Sequence, residues 1–135
     1  MKPQRARILA MQAVFQLDFH SRGLDDILRF DWIDYEIPPD EATYAGKLIK
    51  GVIEHTDEIN IIIEKFSENW TMERISSVNR AILRISIFQM KFMQEEVPVK
   101  VVIDEAIRMS KKYGDLESSR FINGLLDAFR KDGLS

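Results

Sequence analysis

A chain of 135 residues, 45% hydrophobic and 30% charged, can bury a real core and is too apolar to be disordered or fibrous. It contains no cysteine, which excludes disulfides and thiolate chemistry and points to a cytoplasmic setting. A net charge of −3 and a pI near 5.4 exclude a generally basic nucleic-acid binder, so any RNA or DNA site is a local patch on an acidic body.

The first turn carries Lys2, Arg5 and Arg7, with no acid before Asp18. It lacks the long apolar stretch of a signal peptide. From Ile8 onward, Leu9, Ala13 and Leu17 recur at helical spacing, with Met11, Val14 and Phe15 widening the face. Ser21-Arg22-Gly23 reads as the helix stop. Cations at a helix start oppose its dipole. They are open to two readings, a solvated helix end or a phosphate patch, and spacing alone favours the first.

Apolar residues at 24, 27, 28 and 32 predict a short helix over 24–32. Asp31, Asp34 and Glu36 follow, at a spacing that matches no oxygen-rich metal loop, and read as a solvated connection before Pro38-Pro39. Asp40 is placed to cap the next helix, where Tyr44, Leu48 and Val52 share a face. Gly46 and Gly51 within it each cost about 1 kcal/mol relative to alanine, which predicts close helix approach at both. Thr56 or Asp57 is the expected cap of a further helix with Ile59, Ile62, Ile63 and Phe66 inward, and His55 marks the joint as a structural residue. Asn69-Trp70-Thr71 ends that helix, and 71–75 can form a single turn.

The stretch over 77–93, SVNRAILRISIFQMKFM, organises the rest. On a helix its charged residues Arg80, Arg84 and Lys91 share one narrow sector. Val78, Ala81, Ile82, Ile85, Phe88 and Phe92 lie to one side, and Leu83, Ile87 and Met90 to the other. A helix apolar nearly all round belongs in a core, and charge interrupts this one too often for a membrane span. Ser76 or Ser77 can cap it.

Pro98 fits the first position of the next helix. The β-branched run Val99, Val101, Val102, Ile103 could pass for a strand, but the apolar face continues through Ala106, Ile107 and Ser110, which favours helix. Lys111 and Lys112 suit its C-terminus, with Gly114 just beyond. The last helix runs from about Leu116 to Lys131, with Phe121, Leu125 and Phe129 on one face, Gly124 read as a small packing residue and the final five residues frayed. No repeat or linker interrupts the chain. The reading is therefore one all-α domain, 1–135, of about seven helices.

Catalytic chemistry is not indicated. The sequence has no glycine-rich phosphate loop, no metal-ligand spacing and only two separated histidines, so neither metal nor cofactor is expected. The adjacent pair Asp104-Glu105 points about 100° apart on a helix and suits solvation or a single buried polar bond. Binding fits better. Lys111, Lys112 and Tyr113, with Ser118, Ser119, Arg120 and Phe121, combine cations and aromatic rings as single-stranded RNA sites do. Against that stand the plainer roles of Phe121 in the core and of Tyr113 as the cover of a joint.

The segments RARILAMQAVFQLDF, ENWTMERISSVNRAILR, VNRAILRISIFQM, VPVKVVIDEAIRMSKKYG and SSRFINGLLDAFRK together resemble the NusB family of bacterial transcription antitermination factors. The likeness spans the chain and is weakest over 23–40. It implies two small helical bundles packed around a central helix. It also implies a protein without enzymatic activity that pairs with the ribosomal protein NusE and holds the single-stranded boxA element of nascent ribosomal RNA within a transcription elongation complex. On this resemblance, Lys2, Arg5, Arg7, Phe66, Lys112, Tyr113, Glu117, Ser118, Arg120 and Phe121 are the RNA-facing positions. Arg74, Asn79, Arg80 and Arg84 are the partner-facing ones. Gln4 and Ala6 stand where some members are denser in arginine, which implies a modest grip on RNA by the isolated chain. Two other readings are a helper domain related to RNA methyltransferases and a self-associating module; the first lacks a cofactor loop, and a homodimer stays open.

Overall fold

Helix α5 (Ser77–Phe92) runs through the centre of the molecule, and residues 85–90 are all buried. The computed structural model describes residues 2–19, 23–68 and 70–134. Among these, α1 (Pro3–Leu17), α2 (Leu24–Leu28), α3 (Pro39–Glu54), α4 (Thr56–Phe66), a 3₁₀ turn (Met72–Arg74) and α5 are followed by α6 (Val99–Tyr113) and α7 (Leu116–Asp132). Helices α1 and α3 pack on each other and on one side of α5; α4, α6 and α7 form a second group on the other. This is the all-α arrangement of two small bundles about a central helix. Their apolar faces meet in one continuous core that includes Leu9, Leu48, Ile63, Ile85, Ile122 and Phe129. No helix among the described residues is long and apolar enough to cross a membrane.

Local chemistry explains most boundaries. The Ser76 hydroxyl accepts the Asn79 amide at 3.2 Å and starts α5. The Asp115 carboxylate accepts the Ser118 amide at 2.7 Å and starts α7. Each satisfies an amide that the helix leaves without a partner. Gly51 lies against Phe88: a Cβ built there would come within 2.0 Å of the ring. That glycine lets α3 approach α5, as its place inside a helix predicts.

Other expectations change. Helix α2 stops at Leu28, because Phe30 turns the chain with φ 57° and Trp32 donates from its indole to the Ile27 carbonyl at 3.0 Å. Helix α3 begins at Pro39, one residue before Asp40, since proline is preformed for the first helical position. Likewise Pro98 precedes α6 as its cap residue, and Val99 is the first residue in it. Neither Thr56 nor Asp57 precedes α4; His55 occupies the cap of both α3 and α4, and the Thr56 hydroxyl donates back to the Val52 carbonyl at 2.8 Å. Gly46 meets only Leu28, at 3.9 Å, and Gly124 meets nothing within 4 Å, so neither serves close packing. Phe92 is 39% exposed; His55 stacks on it at 4.0 Å between centroids. Helix α7 holds through Asp132. Of the expected stops, Ser21, Arg22 and Asn69 lie outside the described residues.

Candidate nucleic-acid interface

Helix α6 ends and α7 begins within a few residues, and the joint opens a cleft of about 590 Å³. Its walls carry Tyr113 from α6, Glu117, Ser118, Arg120 and Phe121 from α7, and Trp70 from the segment before the 3₁₀ turn. Five of the ten RNA-facing positions expected from the resemblance thus gather on one surface. Trp70 is 52% exposed, its ring 6.0 Å from that of Phe121. A smaller groove of about 260 Å³ adjoins the first, sharing Trp70, Arg120 and Phe121 and adding Phe66. Phe66 is held edge-on by Phe129 at 5.7 Å. Lys112 stands just outside, its ammonium 5.4 Å from the Tyr113 ring.

The electrostatics of this joint are nearly balanced. Among the described residues Lys112 and Arg120 make no ion pair, but Asp115 and Glu117 line the same cleft. Hydrogen bonds from the Ser118 amide and hydroxyl hold the Asp115 carboxyl below its ordinary range, so it stays ionised and committed to the helix cap. The surface is therefore stronger in rings than in net charge. It can stack planar groups and steady a phosphate at Arg120.

The first turn of α1 is arranged differently. The Arg5 guanidinium donates to Glu41 at 2.7 and 3.2 Å, and this carboxylate raises its pKa further. Arg7 is only 5% exposed; its Nε donates to Gln89 on α5 at 2.9 Å, and its guanidinium lies 5.9 Å from the Tyr44 ring centroid. Lys2 is exposed, its side chain free of ion pairs among the described residues. Of the three early cations, then, one is paired and one is inside the protein. The solvated-end reading fails for Arg7, which Gln89 on α5 draws inside, whereas Arg5 is paired by Glu41 on α3 yet stays half exposed at the helix end.

The expected partner-facing residues divide as well. Arg74 is exposed. Asn79 is 9% exposed, with its side-chain oxygen buried and unpaired. Arg84 donates to Asp18 at 2.7 Å and to Asn60 at 3.2 Å. Arg80 donates to the Met72 carbonyl and the Ser77 hydroxyl at 2.9 Å each. Its Nε lies 2.9 Å from the second Asp18 oxygen, though the N–H is not directed along that line, so the contact is ionic rather than hydrogen-bonded. Two arginines on one sheltered carboxylate tie the end of α1 to α5.

The structure adds Trp70 to this surface, where the sequence marks it only as the end of a helix, because a single ring in a polar joint carries no periodic signal.

The sequence profile of the NusB family matches residues 4–131. The chain belongs to the NusB family. NusB relatives named transcription antitermination protein include one from Leptospira biflexa, 44% identical over 127 residues covering 94% of this chain and 90% of that one. Another, from Anaeromyxobacter dehalogenans, is 40% identical over 124 residues, covering 91% and 86%. Among solved structures, T. maritima NusB superposes with a TM-score of 0.89 at 31% identity, covering 100% of this chain and 94% of that one. A complex of the antitermination factors NusB and NusE with dsRNA is similar at TM-score 0.78 and 26% identity, covering 97% and 98%. The NusB fold accounts for the central α5 and for the two groups of helices around it. Among the described residues no three His, Asp or Glu side chains are grouped as a metal site.

Proposed function

We propose that this NusB family member is an RNA-binding adaptor in transcription antitermination. It holds single-stranded, boxA-type RNA of nascent ribosomal transcripts across the α6–α7 joint and works in the cytoplasm with a NusE-like ribosomal protein. The observation that carries this reading is the exposed Trp70 against Phe121, in the wall of a cleft that also presents Tyr113 and Arg120. Exposed rings in a groove with unpaired cations hold unstacked bases without needing a large net charge. The names of the relatives and the solved NusB–NusE–dsRNA complex support the coarser part of this reading, an antitermination role with RNA and NusE.

The charge balance of the joint makes the isolated grip modest, and a docked basic partner would extend the positive surface. The NusE-like protein is expected to tighten RNA binding by roughly 5–150-fold, and RNA to tighten partner binding by the same factor. Fluorescence anisotropy at one fixed salt concentration, with and without saturating partner, measures both legs. Arg74→Glu is the cleaner probe of the partner face, because charge reversal at Arg80 would also disturb Asp18. Equal RNA affinity with and without partner would overturn the adaptor mechanism.

A further inference from the structure

A second cleft, of about 580 Å³, lies at the opposite end of α6 from the joint, between the start of α1, Tyr44 and the start of α6. Its floor holds an energetic anomaly. Arg7 is buried, yet no carboxylate lies within ion-pair distance of it among the described residues. A buried charge without a partner is costly, and proteins rarely keep one without a use. Its Nε is fixed by Gln89, itself anchored by donation to the Ile85 carbonyl at 3.1 Å. The two terminal amino groups make no hydrogen bond among the described residues and are not sealed from solvent, so they face the cleft that Arg7 lines. Glu105 lines the same cleft. One of its oxygens accepts from the Gln4 amide at 3.1 Å and lies 4.0 Å from the Arg108 guanidinium; the other has no partner among the described residues and is likewise open to the cleft. The Tyr44 hydroxyl, also in this wall, is buried without a partner.

We infer that this cleft receives a guanine base of the bound RNA, with Arg7 donating to O6 and N7 and Glu105 accepting from the N1 and N2 groups. The inference rests on the RNA-binding reading above and adds base selection to it. Arg5 and Glu96, which also line the cleft, are held by Glu41 and Lys47, which leaves Lys2, Arg7 and Glu105 in a partly apolar space walled by Val97, Pro98 and Val101. A phosphate would suit Lys2 and Arg7 but oppose Glu105, whereas a neutral heterocycle with acceptors on one edge and donors on another uses Arg7 and Glu105 together. Among the bases, guanine presents two adjacent acceptors for a guanidinium fork and, on its other edge, two adjacent donors for a carboxylate. Arg7 is thus withdrawn from the phosphate-binding role suggested by its place in the basic first turn. Helix α6 has 15 residues and so spans about 22 Å. One strand lying along it could stack at the joint and seat a base in this cleft, and the exposed Arg108 lies between the two ends.

The test is fluorescence anisotropy on the full chain with a labelled short oligouridine, compared with the same strand carrying one guanosine, inosine or 7-deazaguanosine. Guanosine should tighten binding about tenfold over all-uridine. Inosine, lacking the N2 amino group, and 7-deazaguanosine, lacking N7, should each lose most of that gain. Glu105→Gln, which can still accept from Gln4, should bring the guanosine strand down to the inosine strand. Equal affinity for guanosine and uridine strands would overturn the proposal, as would a guanosine gain that survives both base analogues. So would an Arg7→Gln variant that weakens every strand equally and flattens the salt dependence, since Arg7 would then be a phosphate contact. If all-uridine binds and depends on Trp70 while guanosine adds nothing, the cleft alone is refuted. If no strand binds, the RNA reading falls with it.

Discussion

The start of α1 and the α6–α7 joint both collect cations beside aromatic rings, and the protein treats them in opposite ways. At α1, Glu41 pairs Arg5, and α5 draws Arg7 inside through Gln89. At the joint, Lys112 and Arg120 have no ion pair among the described residues, Trp70 is half exposed, and the charge is offset by Asp115 and Glu117 at the cleft edge. Similar local composition therefore yields a rigid, directed donor at one end of α6 and an adaptable stacking surface at the other. What separates them is the content of the helix across the gap. A cation facing a buried acceptor becomes part of the fold, whereas one facing solvent remains available to a ligand.

The largest effect should come from the support that both regions share. Phe88 is 6% exposed and fills the gap left by Gly51, so Phe88→Ala should lower unfolding stability by about 3–5 kcal/mol in a denaturant melt. A loss below about 1 kcal/mol would mean that α5 does not brace the two ends as drawn.

The contrast itself is broken or sharpened by one pair of variants. Arg7→Ala strands the Gln89 oxygen in the interior and should cost about 1–3 kcal/mol of stability. Arg120→Ala, at an exposed position, should stay within about 0.5 kcal/mol of the parent. Similar melts for both would erase the distinction between a built-in and an available cation.

At the joint, Trp70→Ala and Tyr113→Ala should each weaken RNA binding by roughly 1–3 kcal/mol per stacked base, read by anisotropy. Circular dichroism should show the helical signal intact for Trp70→Ala, because that residue is already half exposed. Unchanged RNA affinity in both variants would leave the joint with no stacking role.

The smallest expected effect is one of pH. Hydrogen bonds from Ser118 hold the Asp115 carboxyl below the ordinary value of 3.8. The stability that its ionised form adds is therefore fully present above pH 3.8 and is lost as pH falls through the lower value of the folded chain. Thermal melts of the parent and Asp115→Ala should differ at neutral pH and converge on acidification below that range. Other depressed acids, such as Asp127 beside Arg130 and Lys131, are common to both chains and cancel in the comparison. A difference that widens with acid would contradict the cap as the source.

Periodicity along the chain determined the helical class, the central place of α5 and most inward faces, because a 3.6-residue pattern is a local property that survives without any partner. The Ser76 cap, the turn at Met72–Arg74 and the tight packing at Gly51 were legible for the same reason. The cation-aromatic cluster at the α6–α7 joint could be read because its members lie close together in sequence. What lay beyond sequence reading was the state of each charge. Arg7 meets Gln89 across 82 positions, Arg84 meets Asp18 across 66, and Arg5 meets Glu41 across 36. Only the packing of α1 and α3 against α5 could decide that these arginines face acceptors while Arg120 faces water. Coulomb and hydrogen-bond energies act over a few ångströms of space, and separation along the chain does not reveal which groups folding brings that close.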